Sequence, residues 1–244
     1  MKKLLSLFCA LGLAQPAFAA NNNITALQTL GQPEFRALSE DLGSALSYKP
    51  VTPAAPLGVT GFDIGLEVTS TNMAKSSQYW STITGGSALN SLVIPKLHIA
   101  KGLPFGIDIA GFYSKVPTTN ITLTGAELRY AILDGGAATP AVAVRGAFTK
   151  LSGVNQLSFG TKSLDLSISK GFLMFTPYAG VGQVWVDRSS NVLSNATGTT
   201  FSEKFTQSKV FAGANFNFGL FNIAAEVDKT GAARSISAKM GFRW

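Results

Sequence analysis

Cysteine is nearly absent. The 244 residues contain one, Cys9, inside an apolar N-terminal stretch. Disulfides, thiol nucleophiles and cysteine-based metal sites are therefore excluded from the body of the chain. Histidine is as scarce: His98 stands alone, so no histidine cluster can ligate a metal. Charged residues make up only 14% of the chain, against the ~25% usual for a soluble domain. Mean hydropathy is +0.24. Yet beyond the N-terminus there is no run of about 18 apolar residues, the length a transmembrane helix needs. An apolar chain without long apolar runs is the profile of strands whose side chains alternate between two faces.

The N-terminus has its own explanation. Met1-Lys2-Lys3 is a basic leader, Leu4 to Leu13 an apolar core, and Ala17-Phe18-Ala19 an A-x-A cleavage site. This predicts a secretory signal peptide over 1–19, cut at Ala19–Ala20. Phe8 precedes Cys9 where a lipoprotein signal needs a small residue, which argues against lipidation. Cleavage removes the only cysteine, leaving no thiol chemistry for an oxidising compartment.

Residues 20–57 do not alternate. Pro33 suits a first helical turn, and Phe35, Leu38, Leu42 and Leu46 follow at helical spacing. The prediction is an amphipathic helix over 33–47. Pro50, Pro53 and Pro56 then impose an extended linker. The apolar stripe would sit poorly in a charged cavity and suits an interfacial position at the periplasmic mouth of the fold. A plug would require Arg36, Glu40 and Asp41 to pair with charges on a wall.

From residue 58 to 244 the period is two. "VTGFDIGLEVTS" sets Phe62, Ile64, Leu66 and Val68 against Asp63 and Glu67, and "LVIPKLHIAK" sets Leu97 and Ile99 against Lys96 and His98. Eight more such segments follow. In "FTPYAGVGQVWVD" the apolar face is read as Tyr178, Val184 and Val186, with Trp185 an exception. The connections alternate between tight turns, such as "GLPF" and "DGGAATP", and longer polar ones, chiefly 70–91 and 188–203. Ten strands of even count, with short turns at one end, predict an all-β fold: a ten-stranded antiparallel transmembrane β-barrel with an N-terminal amphipathic helix.

Charge placement separates this from a soluble barrel. The faces opposite the apolar ones collect Asp63, Glu67, Asp108, Glu127, Asp165 and Glu226, with Lys96, Arg129, Arg145, Lys209, Lys239 and Arg243. A soluble barrel buries its apolar face. Ten strands enclose too little space for so many Phe, Tyr and Leu side chains. Inverting the barrel turns the apolar faces to lipid, and closure removes the unpaired edges that lipid penalises.

The last segment, "SISAKMGFRW", alternates Met240, Phe242 and Trp244 against Lys239 and Arg243. This tail resembles the C-terminal insertion signal of bacterial outer-membrane β-barrel proteins, with Trp244 in place of the more usual Phe. The resemblance implies an outer-membrane location in a Gram-negative bacterium, recognition by the barrel-assembly machinery, and a last strand held by pairing with the first.

The charged residues above, with His98, are the candidate lumen or constriction residues. They either fill the barrel with ion pairs or line a narrow passive channel, and the small interior of ten strands favours the filled alternative. His98 with Asp108 is the minimum for a barrel enzyme, but no nucleophile motif accompanies it. The leading reading is a non-enzymatic structural or passive-solute barrel without a cofactor. The alternative is a surface binding protein or adhesin acting through 70–91 and 188–203, with Tyr79 and Trp80 as contacts. The basic balance, 20 Lys and Arg against 13 Asp and Glu, points to lipopolysaccharide rather than nucleic acid. Its phosphates would meet Lys162, Arg188, Lys204 and Lys209 at the outer rim.

Overall fold

The computed structural model describes residues 30–84, 88–116, 120–154, 157–193 and 200–244. The predicted signal peptide and residues 20–29 lie outside them. Ten antiparallel strands close into one barrel in the order β1-β10-β9-β8-β7-β6-β5-β4-β3-β2. They are β1 Phe62–Asn72, β2 Ser91–Gly102, β3 Ile107–Lys115, β4 Thr122–Asp134, β5 Ala141–Ser152, β6 Leu157–Ser169, β7 Phe175–Leu193, β8 Thr200–Phe218, β9 Phe221–Thr230 and β10 Ala233–Arg243. Two helices accompany them, α1 (Gln32–Leu46) and α2 (Ser77–Thr84) in the β1–β2 connection.

Closure runs from Asp63↔Arg243 to Thr71↔Ser235. The terminal residue completes it. The Phe62 and Trp244 backbones exchange hydrogen bonds of 2.9 and 3.1 Å, and their rings stack at 5.2 Å. That is what holds the last strand, and it leaves no free sheet edge.

The barrel is inside-out relative to a soluble one. Leu66, Leu128, Val227 and Ile236 are each more than half exposed on the outer wall. Arg145, Lys209, Lys239 and His98 are buried within it. Only an apolar surrounding makes that distribution favourable, so the wall spans a lipid bilayer. Short turns at 103–106, 135–140, 170–174 and 219–220 mark the periplasmic end, shared by Phe62 and Trp244. At the other end β7 and β8 run 19 residues each, well beyond the roughly 10 that cross a bilayer. Most of the segment 188–203, expected as a loop, is therefore strand.

α1 does not lie at a membrane surface. Its Phe35, Leu38, Leu42 and Leu46 stripe is buried inside the barrel. The helix begins after Gly31 with Pro33 in its first turn and ends at Ser47, whose ψ of 153° is extended. Gly43 allows close approach to the wall: a Cβ there would sit 2.7 Å from Val186. From Ser47 the chain descends through the lumen to Leu57, and Val51, at φ 46°, turns it on the way.

Candidate functional site

Among the described residues the polar chemistry of this chain converges in the lumen, and residues 30–57 occupy it. Three layers describe the contact, from the outer mouth inward.

The outer layer is apolar with a cationic clamp. Phe35 stacks on Phe201 with ring centroids 4.7 Å apart. The Arg188 guanidinium covers Phe35 at 4.2 Å and donates to Ser39 Oγ at 2.9 Å. Leu38 and Leu42 pack in a cluster with Phe159, Val184 and Val186. Arg36 bridges Glu40 at 2.8 Å and Glu203 at 2.9 Å, and its guanidinium lies 4.1 Å from the Phe205 ring centre. Partial burial disfavours the Glu40 carboxylate, but hydrogen bonds from Lys75 and Arg36 outweigh it and hold its pKa below the ordinary value. Asp41 Oδ2 accepts from the Lys75 N–H, the Ser76 N–H and the Ser76 hydroxyl, each at 2.8 Å. These donors stand just before α2, so one carboxylate ties α1 to the outer connection.

The middle layer is an ion-pair lattice threaded by Tyr48 and Lys49. The Tyr48 hydroxyl lies 3.1 Å from His98 Nε2. Lys49 Nζ reaches Asp228 at 3.3 Å and the Ser44 carbonyl at 2.9 Å. Lys209 Nζ donates to the Tyr48 carbonyl at 3.0 Å and pairs with Asp165 at 3.1 Å. Arg145 lies 3.1 Å from Glu127 and 3.6 Å from Asp165. Both are charge contacts without hydrogen-bond alignment. Glu226 is buried within electrostatic reach of Lys209 and Arg145. Lys96 pairs with Glu67 at 2.6 Å and Lys239 with Asp63 at 2.8 Å, with Arg243 3.9 Å from Asp63.

The inner layer grips the extended linker by its backbone. Arg129 donates to Thr52 Oγ1 at 2.9 Å and the Pro53 carbonyl at 2.5 Å, and it pairs with Asp108. Ser169 Oγ accepts from the Ala54 and Ala55 N–H groups at 3.1 and 3.2 Å. Asp108 accepts from the Leu57 N–H at 3.1 Å. Prolines 50, 53 and 56 cannot donate, so the wall supplies acceptors where N–H groups remain and donors to their carbonyls.

All thirteen candidate lumen residues lie on the inner wall: Asp63, Glu67, Lys96, His98, Asp108, Glu127, Arg129, Arg145, Asp165, Lys209, Glu226, Lys239 and Arg243. They surround a filled cross-section rather than ring an open one. Several expectations need correction. His98 does not meet Asp108, whose carboxylate is engaged by Arg129 and Leu57. Glu67 stands opposite Lys239 across the closing seam and pairs with Lys96 on its other side. Arg188 and Lys209 point into the lumen, so neither can meet lipopolysaccharide. Trp80 is buried in the apolar cluster and is no surface contact. On β7, Tyr178, Val184 and Val186 face inward while Gln183, Trp185 and Asp187 face outward. The apolar face there is the lumen face, because it packs α1. The same packing answers the objection to a helix in a charged lumen: the outer third of the interior is apolar.

Sequence reasoning missed Tyr48 and Lys49, which make the central contacts, and Phe112, which packs inside against Tyr48 at 5.3 Å. No pattern marks the first two, because their partners stand far away in sequence. Among the described residues no group of His, Asp and Glu side chains is arranged to hold a metal ion.

No protein-family model and no curated protein sequence matches the chain. Among solved structures it is similar to the N-terminal β-barrel domain of OprF from Pseudomonas aeruginosa, 14% identical over 77% of this chain and 99% of that one, with a TM-score of 0.40. It is also similar to Ail, the attachment invasion locus protein of Yersinia pestis, 13% identical over 76% of this chain and 99% of that one, TM-score 0.33. A third is the Neisserial surface protein A, 12% identical over 75% and 94%, TM-score 0.30. At these identities and scores the likeness extends to no site or activity.

Proposed function

We propose that this outer-membrane β-barrel is a closed structural barrel, sealed by its own N-terminal segment, rather than a solute channel. One observation carries the reading: the chain from Leu30 to Leu57 fills the lumen and is bonded to the wall in every layer. A passive pore needs a continuous aqueous path, and here Lys209 and Arg129 of the wall donate to the segment's carbonyls while the segment's own Lys49 pairs with Asp228 of the wall. Withdrawing the segment would leave Lys209, Arg129, Asp108 and Asp228 of the wall without those partners, which is costly in a poorly hydrated interior. The test is planar-bilayer recording on protein whose folding is shown by heat-modifiable gel migration. The full chain is expected to be silent at low voltage, and a variant lacking residues 20–57 is expected to conduct. Steady conductance by the full chain would refute the reading.

A non-enzymatic role is supported by His98, whose Nε2 is committed to the buried Tyr48 hydroxyl. Lipopolysaccharide is the proposed lipid partner. Lys150, Lys162 and Lys204 face outward toward the outer end of β5, β6 and β8, beside Phe148 and Trp185. Cations above an aromatic belt suit phosphates at the membrane surface. For assembly, removal of Trp244 deletes the pairing with Phe62 and is expected to lower the outer-membrane yield, as loss of recognition by the barrel-assembly machinery would.

A surface-binding role has one specific observation in its favour. The α2 connection is held in place by Asp41 and Glu40, and the β7–β8 hairpin projects beyond the bilayer. Shortening that hairpin would abolish adhesion to a host surface without loss of folding if this reading holds.

A further inference from the structure

The direction in which the lumen segment runs places the start of the chain on an unexpected side. Leu57 bonds Asp108, two residues into β3 from the periplasmic turn 103–106. Ala54 and Ala55 bond Ser169, the last residue of β6 before the periplasmic turn 170–174. Tyr48 meets His98 and Lys209 in mid-wall. Ser39 meets Arg188 and Phe35 meets Phe201, both towards the outer ends of β7 and β8. Gln32 Nε2 donates to Glu203 at 2.5 Å, and Leu30 belongs to the apolar cluster of the outer layer. Going backwards from residue 57 to residue 30, the contacts move from the periplasmic ends of the strands, through mid-wall, to their outer ends. The segment passes through the lumen once.

We propose that the barrel presents its own N-terminus on the cell surface: the chain preceding Leu30 leaves the lumen at the outer mouth. The inference rests on the filled-lumen reading. A return to the periplasm would need a second pass through a cross-section already filled from residue 41 to residue 54, all buried. The stretch before Leu30 is compatible with exit into water. Residues 20–29 read "ANNNITALQT", without a charge and rich in Asn and Thr. Arg188, Phe35 and Glu203 form the outer collar through which the chain passes.

The experiment exploits the loss of Cys9 with the predicted signal peptide. Asn22→Cys gives the mature full chain one thiol. It is challenged with a membrane-impermeant maleimide on intact Gram-negative cells. Gly136→Cys in the periplasmic turn is the shielded control, and Gln78→Cys on α2 in the outer connection is the exposed one. Labelling of Asn22→Cys on intact cells to the level of the exposed control is the expected result. Labelling only after the outer membrane is permeabilised, in barrel shown to be folded by its gel migration, would overturn the proposal. A short epitope inserted after Asn22 and probed by antibody on intact cells gives a second reading with the same two outcomes. Bilayer recordings separate the premises. A silent barrel with a shielded Asn22→Cys keeps closure and refutes the outward path. A conducting barrel labelled from outside refutes closure and keeps the path.

Discussion

Phe35→Ala tests whether α1 is a separate unit seated in the barrel or part of one indivisible fold. Phe35 is fully buried, stacked on Phe201 and covered by Arg188. Truncating a core phenylalanine costs about 3–5 kcal/mol, transfer and cavity terms together. The lower end applies here, because the site is at the outer mouth, where water can enter and the Arg188 side chain can settle. No strand hydrogen bond involves Phe35, so the loss falls on the docking of α1 and not on the closure of the wall. With 1.4 kcal/mol per factor of ten, about 3 kcal/mol raises the population of undocked helix roughly a hundredfold. The assay is amide hydrogen exchange of the refolded protein in detergent, read by peptide. Amides of residues 36–46 should exchange about a hundred times faster, because their protection reports local undocking. Amides of β1, β2, β9 and β10 should not change. An acceleration below tenfold in α1, or an equal acceleration of the strands, would refute the picture of a separately seated plug.

Three further outcomes are expected. Asp41→Ala removes the acceptor of three hydrogen bonds, each worth about 1.5–3 kcal/mol when one partner is charged. The 73–84 connection should then be cut by added protease on intact cells, while the barrel's gel migration is unchanged. Arg145→Ala leaves Glu127 and Asp165 facing each other without their shared cation, and a buried pair broken on one side typically loses about 3–5 kcal/mol. Its temperature of heat modification should drop sharply, with Arg145→Lys restoring part of it. The Glu40 carboxylate, held below its ordinary pKa by Lys75 and Arg36, adds stability above its unfolded value, and that contribution disappears as pH falls through the lowered one. The protection of α1 amides, corrected for the intrinsic pH dependence of exchange, should therefore fall on acidification, and Glu40→Gln should flatten that fall while lowering protection at neutral pH.

The wall of this molecule is legible in its sequence because one physical rule governs nearly all of it. Each residue on a membrane strand faces either hydrocarbon or lumen, so period two maps directly onto polarity. That is why Leu66 and Glu67, or Leu128 and Arg129, are assigned to opposite faces correctly. The rule breaks on β7, where Val184, Trp185 and Val186 are apolar in succession. An apolar residue on both faces of a strand means an apolar neighbour on both sides, as in a strand buried between two layers. Lipid is one neighbour. The other has to be something apolar inside the barrel, and the Phe35, Leu38, Leu42 and Leu46 stripe is an apolar surface that no strand claims. Joining those two oddities would place α1 in the outer lumen from sequence alone. Tyr48 and Lys49 offer no comparable handle. Lys49 pairs with Asp228, 179 residues away, and neither side chain departs from a local pattern. A contact of that kind is set by the path of the segment through the lumen. That path follows in turn from three prolines that keep it extended and from wall acceptors spaced to meet the N–H groups the prolines leave.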